Sequence, residues 1–396
     1  LSSLETFYYE IKIRNESNAI SHPLREHSLN KSISRSLTDN AYPVSAQITL
    51  EDRAQITFTK WFNNHTAAIS ITNDHGNPSA SSEKRVQDAI KKRNLIMDYE
   101  FVSDRGTADK EIFFYNFLKE QLLPDGFTIF GHGHSHIDHD RLSYEEAYKS
   151  FKMNHDAMKS LGVVPVSYAY PKGGGFKDST QLALKTAGFY SGRGHRSGDN
   201  KFPHILPGEI TKPDNWFMLP SLVMEDYNFQ NNKRAINNAN ELIPVLDDSI
   251  QLRSWLILTF HSIGNENGWG YFDFTEFKLS LDEIKKRDFW SVSMDDATRY
   301  MYQRENSVVQ IVGGWGNDFS LTIVHALDPL VFNHQITSQI TFEKQVQSRK
   351  LLIYADREVE HTLIIEDKVY LFNFKPFTKY EFKFEVEEGS SLSGES

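Results

Sequence analysis

Residues 69–76 read Ile69-Ser70-Ile71-Thr72-Asn73-Asp74-His75-Gly76, an apolar, β-branched run that passes directly into an acid, a histidine and a glycine. Branching at Cβ favours extended backbone, and glycine admits the turn that ends it. In folds with parallel strands, reactive groups gather at the C-terminal strand ends and the loops after them. Asp74 and His75 are therefore candidate site residues. Adjacent side chains diverge, so one can bind a metal while the other faces an attacking water. An ordinary turn closing a strand gives the same letters.

Outward from this stretch, the grammar from Ala67 to Tyr302 is strand, loop, helix. Val163-Val164-Pro165-Val166 and Trp255-Leu256-Ile257-Leu258 are further apolar runs. Ser143 and Glu146 form a capping box, apolar Tyr144, Ala147, Tyr148, Phe151, Met158 and Leu161 follow at helical spacing, and Gly162 stops the helix. Asp178 is placed to cap a second helix ending at Gly188, and Phe277, Leu281 and Ile284 mark a third. Strands alternating with helices predict βα units around a mostly parallel sheet or barrel.

The flanks differ. The polar stretch before Ala46 holds only a brief strand-like run, Tyr8 to Ile13, and two alternating segments, 46–50 and 54–58, predict a hairpin. After residue 303, strands are expected at 320–324, 336–342, 351–354, 363–365, 369–374 and 380–386. In the last, Tyr380, Phe382, Phe384 and Val386 share one face, so a small β-sandwich is expected. The division is thus 1–66 as an N-terminal β-rich segment, 67–302 as an α/β domain, 303–387 as a β-sandwich and 388–396 as a disordered tail.

A chain of 396 residues is too long for one ordinary core. Its net charge of −10 argues against a nucleic-acid partner, whose phosphates require basic surface. No run approaches the roughly 18–20 apolar residues of a membrane helix. The absence of cysteine excludes disulfides and thiolate sites, so a transition-metal site must use His, Asp or Glu.

The densest chemical signal is Gly131-His132-Gly133-His134-Ser135-His136-Ile137-Asp138-His139-Asp140, which follows the apolar run Phe127 to Phe130. His132 and His136, four apart, can face one ion if a helical turn leaves the strand. A solvated, histidine-rich loop is the alternative. Thr259-Phe260-His261-Ser262 ends another apolar strand in a histidine. In Tyr168-Ala169-Tyr170-Pro171-Lys172-Gly173-Gly174-Gly175, the glycines let backbone amides approach a ligand closely, and a plain surface loop reads the same way.

In order and spacing these four segments resemble the polysaccharide deacetylases of carbohydrate esterase family four, over Ala67 to Tyr302. That family opens with Thr-Phe-Asp-Asp-Gly, first Asp the general base and second a metal ligand. The match here is Thr72-Asn73-Asp74-His75-Gly76, which implies Asp74 as base and His75 in the ligand position. His132 and His136 match the family's paired histidines, implying a three-histidine site for one divalent metal, zinc first, with cobalt or nickel as alternatives. Ala169-Tyr170-Pro171-Lys172 takes the place of Arg-Pro-Pro-Tyr, so the family's base-orienting arginine is replaced by Ala169. The backbone amide of Lys172 falls at the oxyanion position, and His261 at that of the acid. Asp214-Asn215-Trp216 is a weak match to the motif carrying a substrate-wall Trp.

The resemblance implies a distorted (β/α) barrel that removes N- or O-acetyl groups from an acetylated oligo- or polysaccharide, outside the cytoplasm. The metal polarises the acetyl carbonyl and activates its bound water as the nucleophile; Asp74 takes the proton and His261 protonates the leaving group. Tyr170, Trp216 and Trp269 are candidate sugar contacts, with Tyr271 and Trp315 as further platforms; core packing explains some of them equally well. The alternatives are a degenerate carbohydrate-binding domain of the same fold, or a hydrolase of another acyl or amide bond on a glycan. Retention of Asp74, His75, His132, His136 and His261 together favours an enzyme.

Overall fold

The computed structural model describes residues 48–50, 54–74, 80–104, 116–194, 204–205, 213, 215–226, 235–313, 318–342 and 348–385. The expectations for Tyr8–Ile13, His75, Asp214, Trp315 and the tail lie outside the described residues. Chain contacts divide into two units, one of residues His65–Met301 and one of Leu1–Asn64 with Tyr302–Ser396.

The strands, in chain order, begin with β1 (Ile48–Leu50), β2 (Ala54–Phe58), β3 (Ala67–Asn73), β4 (Met97–Phe101), β5 (Thr128–Gly131) and β6 (Ser167–Ala169). There follow β7 (Ser191–Arg193), β8 (His204–Ile205), β9 (Leu222–Val223), β10 (Trp255–Phe260), β11 (Phe289–Ser291) and β12 (Val308–Gly313). The last are β13 (Phe319–Val324), β14 (Ile336–Phe342), β15 (Lys350–Ala355), β16 (Glu358–Ile364), β17 (Val369–Phe374) and β18 (Lys379–Phe384). The helices are α1 (Ala80–Lys92), α2 (Tyr144–Ser160), α3 (Asp178–Ala187), α4 (Ala239–Leu252), α5 (Phe274–Lys285) and α6 (Met294–Asn306).

In the larger unit, the sheet runs β7-β6-β5-β4-β3-β10-β8, with β11 beside β3 and β9 beside β10. β3 and β10 lie at its centre and are buried at every residue, as their near-continuous apolar runs require of strands covered on both faces. They pair in parallel from Ala68↔Trp255 to Asn73↔Phe260. Among its described strands, only β8 runs antiparallel. At the open edge, the Leu219 amide donates to the Gly192 carbonyl (2.8 Å), and the segment after it enters β9 alongside β10. That segment closes the ring, giving the expected distorted (β/α) barrel.

The helix signals hold in detail. The Ser143–Glu146 capping box is formed, and Phe277, Leu281 and Ile284 are buried on α5. Gly188 ends α3 in the left-handed conformation, φ 108°. Asp178, expected as the cap of α3, is instead its first residue. The Asp140 carboxylate holds the loop that enters α3, accepting the backbone N–H groups of Gly175 (2.9 Å), Phe176 (3.0 Å) and Lys177 (3.3 Å). The strand expected at 163–166 begins later, at Ser167, past Pro165 and its missing N–H. β4 lies where no strand is expected from the sequence.

The smaller unit contains two antiparallel sheets, ordered β1-β2-β14-β17 and β12-β13-β18-β15-β16. β1 and β2 form the expected hairpin. β2 then pairs with β14, Ile56 opposite Ile340, so the hairpin shares a sheet with strands of the C-terminal region. Aromatic rings fill the space between the sheets, Phe374 lying 6.2 Å from Phe382 and Phe342 lying 6.4 Å from Phe384. Tyr380, Phe382 and Phe384 are all buried, as their alternation predicts.

Candidate active site

Six parallel strands of the barrel bring chemically active residues to one rim. Asp74 follows β3, Glu100 is next to last in β4, His132 follows β5, Lys172 follows β6, Arg193 ends β7 and His261 follows β10. Asp74 and His261 are lateral neighbours, because the Asp74 amide extends the β3–β10 ladder to the Phe260 carbonyl (2.8 Å).

Arg193 is fully buried and reaches Asp74. Its guanidinium hydrogen-bonds the Asp74 carboxylate and the Thr72 hydroxyl (3.1 Å), and lies 5.2 Å from the centre of the Phe130 ring. An arginine remains charged at any ordinary pH, so its place in the core depends on that carboxylate. Burial pushes the Asp74 carboxyl above its usual range, against the pull of Arg193. Ala169 stands directly opposite Arg193 in the β6–β7 register. The arginine missing from position 169 is thus supplied one strand away.

His132 is buried, and its two ring nitrogens face different partners. Nδ1 lies 2.9 Å from the Ala169 carbonyl, which only accepts, so Nδ1 carries the proton and Nε2 a free lone pair. Nε2 lies 3.1 Å from a Glu100 carboxylate oxygen. The His136 ring centre is 5.0 Å from that of His132. Ligating atoms of Glu100, His132 and His136 all lie within 4.8 Å of one another, which makes these three a candidate metal centre. Burial, then the neighbouring His136, holds the His132 pKa well below its usual value, and burial and Lys172 bring His136 down to about 4. Both rings are therefore neutral near pH 7, the form that binds metals.

Contrary to expectation, no helical turn aligns the two histidines. Residues 134–137 form bends, tightened by the Ile137 amide on the Ser135 carbonyl (2.8 Å). The strand ends behind them are clamped by buried Asn154 of α2, whose side-chain amide donates to the carbonyls of Phe101 and Gly133 (2.7 Å each). The other two histidines of the cluster serve elsewhere. His134 bonds Ser103 (3.1 Å), while His139 stacks on Phe151 and bonds Ser150 (2.8 Å).

Lys172 adopts a left-handed backbone (φ 59°) within the turn Pro171–Gly173. Such a conformation in a non-glycine residue costs energy and is typical of functional turns. The loop after it is the one held by Asp140. His261 is buried, and Trp269 meets its ring edge-on at 4.3 Å while remaining 45% exposed. Gly270 lets the indole loop approach, since a Cβ there would fall 2.9 Å from that of His261.

One expected sugar contact is differently placed. Tyr170 is only 1% exposed and packs against Tyr168 and Phe151, so no sugar can stack on it. Trp216 is half-buried beside β7, its carbonyl accepting the Gly192 amide (2.9 Å). Three residues that hold the site together, Glu100, Arg193 and Asn154, are not among those expected from the sequence. A charged Glu100 inside a five-residue strand that is wholly buried was the available signal.

Residues 63–192 match the family model for polysaccharide deacetylase. No curated protein matches the chain. Similar solved structures include a peptidoglycan deacetylase from Bacillus subtilis, with 15% identity, covering 61% of this chain and 94% of that one, at a TM-score of 0.39. A family 4 acetyl xylan esterase from Clostridium thermocellum has 14% identity, covering 60% and 91%, at a TM-score of 0.39. The matched residues 63–192 include Asp74, Glu100, His132, His136 and Lys172.

Proposed function

We propose that the chain is a metal-dependent carbohydrate deacetylase that hydrolyses N- or O-acetyl groups, with Asp74 as general base and His261 as general acid. The observation that carries this reading is the placing of Asp74 and His261 on neighbouring strand ends of the rim that also bears His132 and His136.

The donor set fits a divalent ion. With its Nδ1 committed to the Ala169 carbonyl, His132 keeps Nε2 for a metal, and a backbone acceptor of this kind is the usual support for a ligating imidazole. Nitrogen ligands favour zinc, with cobalt and nickel as substitutes. When bound, the ion polarises the acetyl carbonyl and acidifies water.

The protein's own groups do the rest. Asp74, held by Arg193, accepts the proton of the attacking water. Its buried environment raises its proton affinity, which suits a base working near neutrality. His261 protonates the departing sugar amine or alcohol. The Lys172 amide donates to the developing oxyanion, and the exposed Trp269 stacks on a sugar face beside the acid. Acetylated glycans place the protein outside the cytoplasm. Among the described residues, no helix is long and apolar enough to cross a membrane.

Acetate release from acetylated oligosaccharides tests the roles. Asp74→Asn and His261→Ala should each abolish turnover with metal still bound. Retained rate in either variant, or loss of its metal, would contradict the assignment.

A further inference from the structure

Resting on the metal-dependent reading above, we propose that Glu100 supplies the third protein ligand. On this proposal, the metal-binding carboxylate has moved from the sequence position after Asp74, which His75 occupies, to the end of strand β4.

Three observations carry it. The first is convergence: ligating atoms of Glu100, His132 and His136 lie within 4.8 Å of one another, close enough for one ion to reach all three. The second is hydrogen-bond accounting. His132 gives its ring proton to the Ala169 carbonyl at 2.9 Å, so Nε2 presents a lone pair to a Glu100 oxygen 3.1 Å away. At that separation either a proton on Glu100 or a cation must lie between the two atoms, and the nearby His136 ring supplies a further nitrogen for a cation. The third is the setting. Asp98 and Glu100 share one face of β4, and Asp98 is satisfied by the Thr128 hydroxyl and the Met294 amide (2.6 Å). Among the described residues no backbone or hydroxyl donor bonds Glu100 in this way; the ring of His132 faces it instead.

The set is then two histidines and one carboxylate, in place of the three histidines read from the sequence. Arg193 separates the functions of the two acids. It is bonded to Asp74 and not to Glu100, which keeps Asp74 as base and leaves Glu100 for the ion.

Zinc titration of metal-stripped full-length protein, followed by calorimetry, tests the proposal through wild type, Glu100→Gln, His75→Ala and His132→Ala. The expected result is about one zinc per wild-type chain, affinity reduced at least about tenfold in Glu100→Gln and His132→Ala, and little change in His75→Ala. Wild-type affinity in Glu100→Gln, with binding lost in His75→Ala, would overturn the proposal and leave the metal-dependent reading standing. Absence of zinc binding in the wild type would overturn both. Should Glu100→Gln fail to fold, anomalous scattering from zinc-loaded wild-type crystals decides. A Glu100 oxygen at about 2.0–2.2 Å from the zinc supports the assignment, and one well outside bonding distance refutes it.

Discussion

Arg193 stands opposite Ala169 in the parallel register of β6 and β7, and its guanidinium bonds the Asp74 carboxylate. The charge that the resemblance places at position 169 is present, displaced by one strand. Removing it leaves an unpaired carboxylate in the core, a change that costs about 3–5 kcal/mol in buried pairs. Arg193→Ala should therefore lower stability by that order and reduce kcat for acetate release by two or more orders of magnitude, with zinc still bound. Arg193→Lys should recover part of the stability and little of the rate, because one ammonium cannot hold both Asp74 and Thr72 in the same geometry. Denaturant unfolding beside acetate assays separates the two effects. Full activity in Arg193→Ala would remove its positioning role.

Asn154 links α2 to the ends of β4 and β5 through two 2.7 Å bonds to backbone carbonyls. Asn154→Leu removes one of two donors from each carbonyl, the His132 and Ser103 amides (3.0 Å each) remaining, so the cost is that of two lost hydrogen bonds, about 0.5–1.5 kcal/mol each. The same strands carry Glu100 and His132, so zinc affinity should fall together with stability. A variant that unfolds more easily but binds zinc unchanged would confine Asn154 to a purely structural part.

A third prediction concerns pH. Burial pushes the Asp98 carboxyl up to about 7, with Asp295 and Asp296 adding to the effect and the bonds from Thr128 and Met294 opposing it. The folded protein thus holds a proton on Asp98 that the unfolded chain releases near pH 4. Between those values the folded state binds more protons, so stability is greatest below about pH 4 and is lost as pH rises towards 7. Over three pH units the contribution is on the order of 4 kcal/mol. Asp98→Asn, a neutral mimic, should flatten this part of the stability–pH curve in urea melts between pH 4 and 7. An unchanged slope would show that Asp98 titrates as an ordinary carboxyl.

Much of this architecture was legible in the sequence because its causes are local. The capping box at Ser143 and Glu146, the helical spacing on α5 and the apolar runs of β3 and β10 each announce their own element. Asp74, His132, His136 and His261 stand out because each follows an apolar strand. Glu100 and Arg193 were hidden for the complementary reason. Their meaning comes from register between strands, and nothing in Met97–Phe101 or Ser191–Arg193 records which neighbour lies alongside. The pairing of β2 with β14 is non-local in the same way, bringing Thr59 to Thr337 across 278 residues. Tyr170 misled because an aromatic near a motif reads identically whether it faces a ligand or the core.

The central claim, metal-dependent removal of acetyl groups, is tested most directly by acetate release from acetylated glycan oligomers with the metal removed and then restored. The account predicts release by the zinc-loaded protein, loss of release after chelation, and recovery when about one equivalent of zinc is returned. Release that survives complete removal of metal, or a zinc-loaded protein that binds acetylated oligomers without freeing acetate, would contradict it.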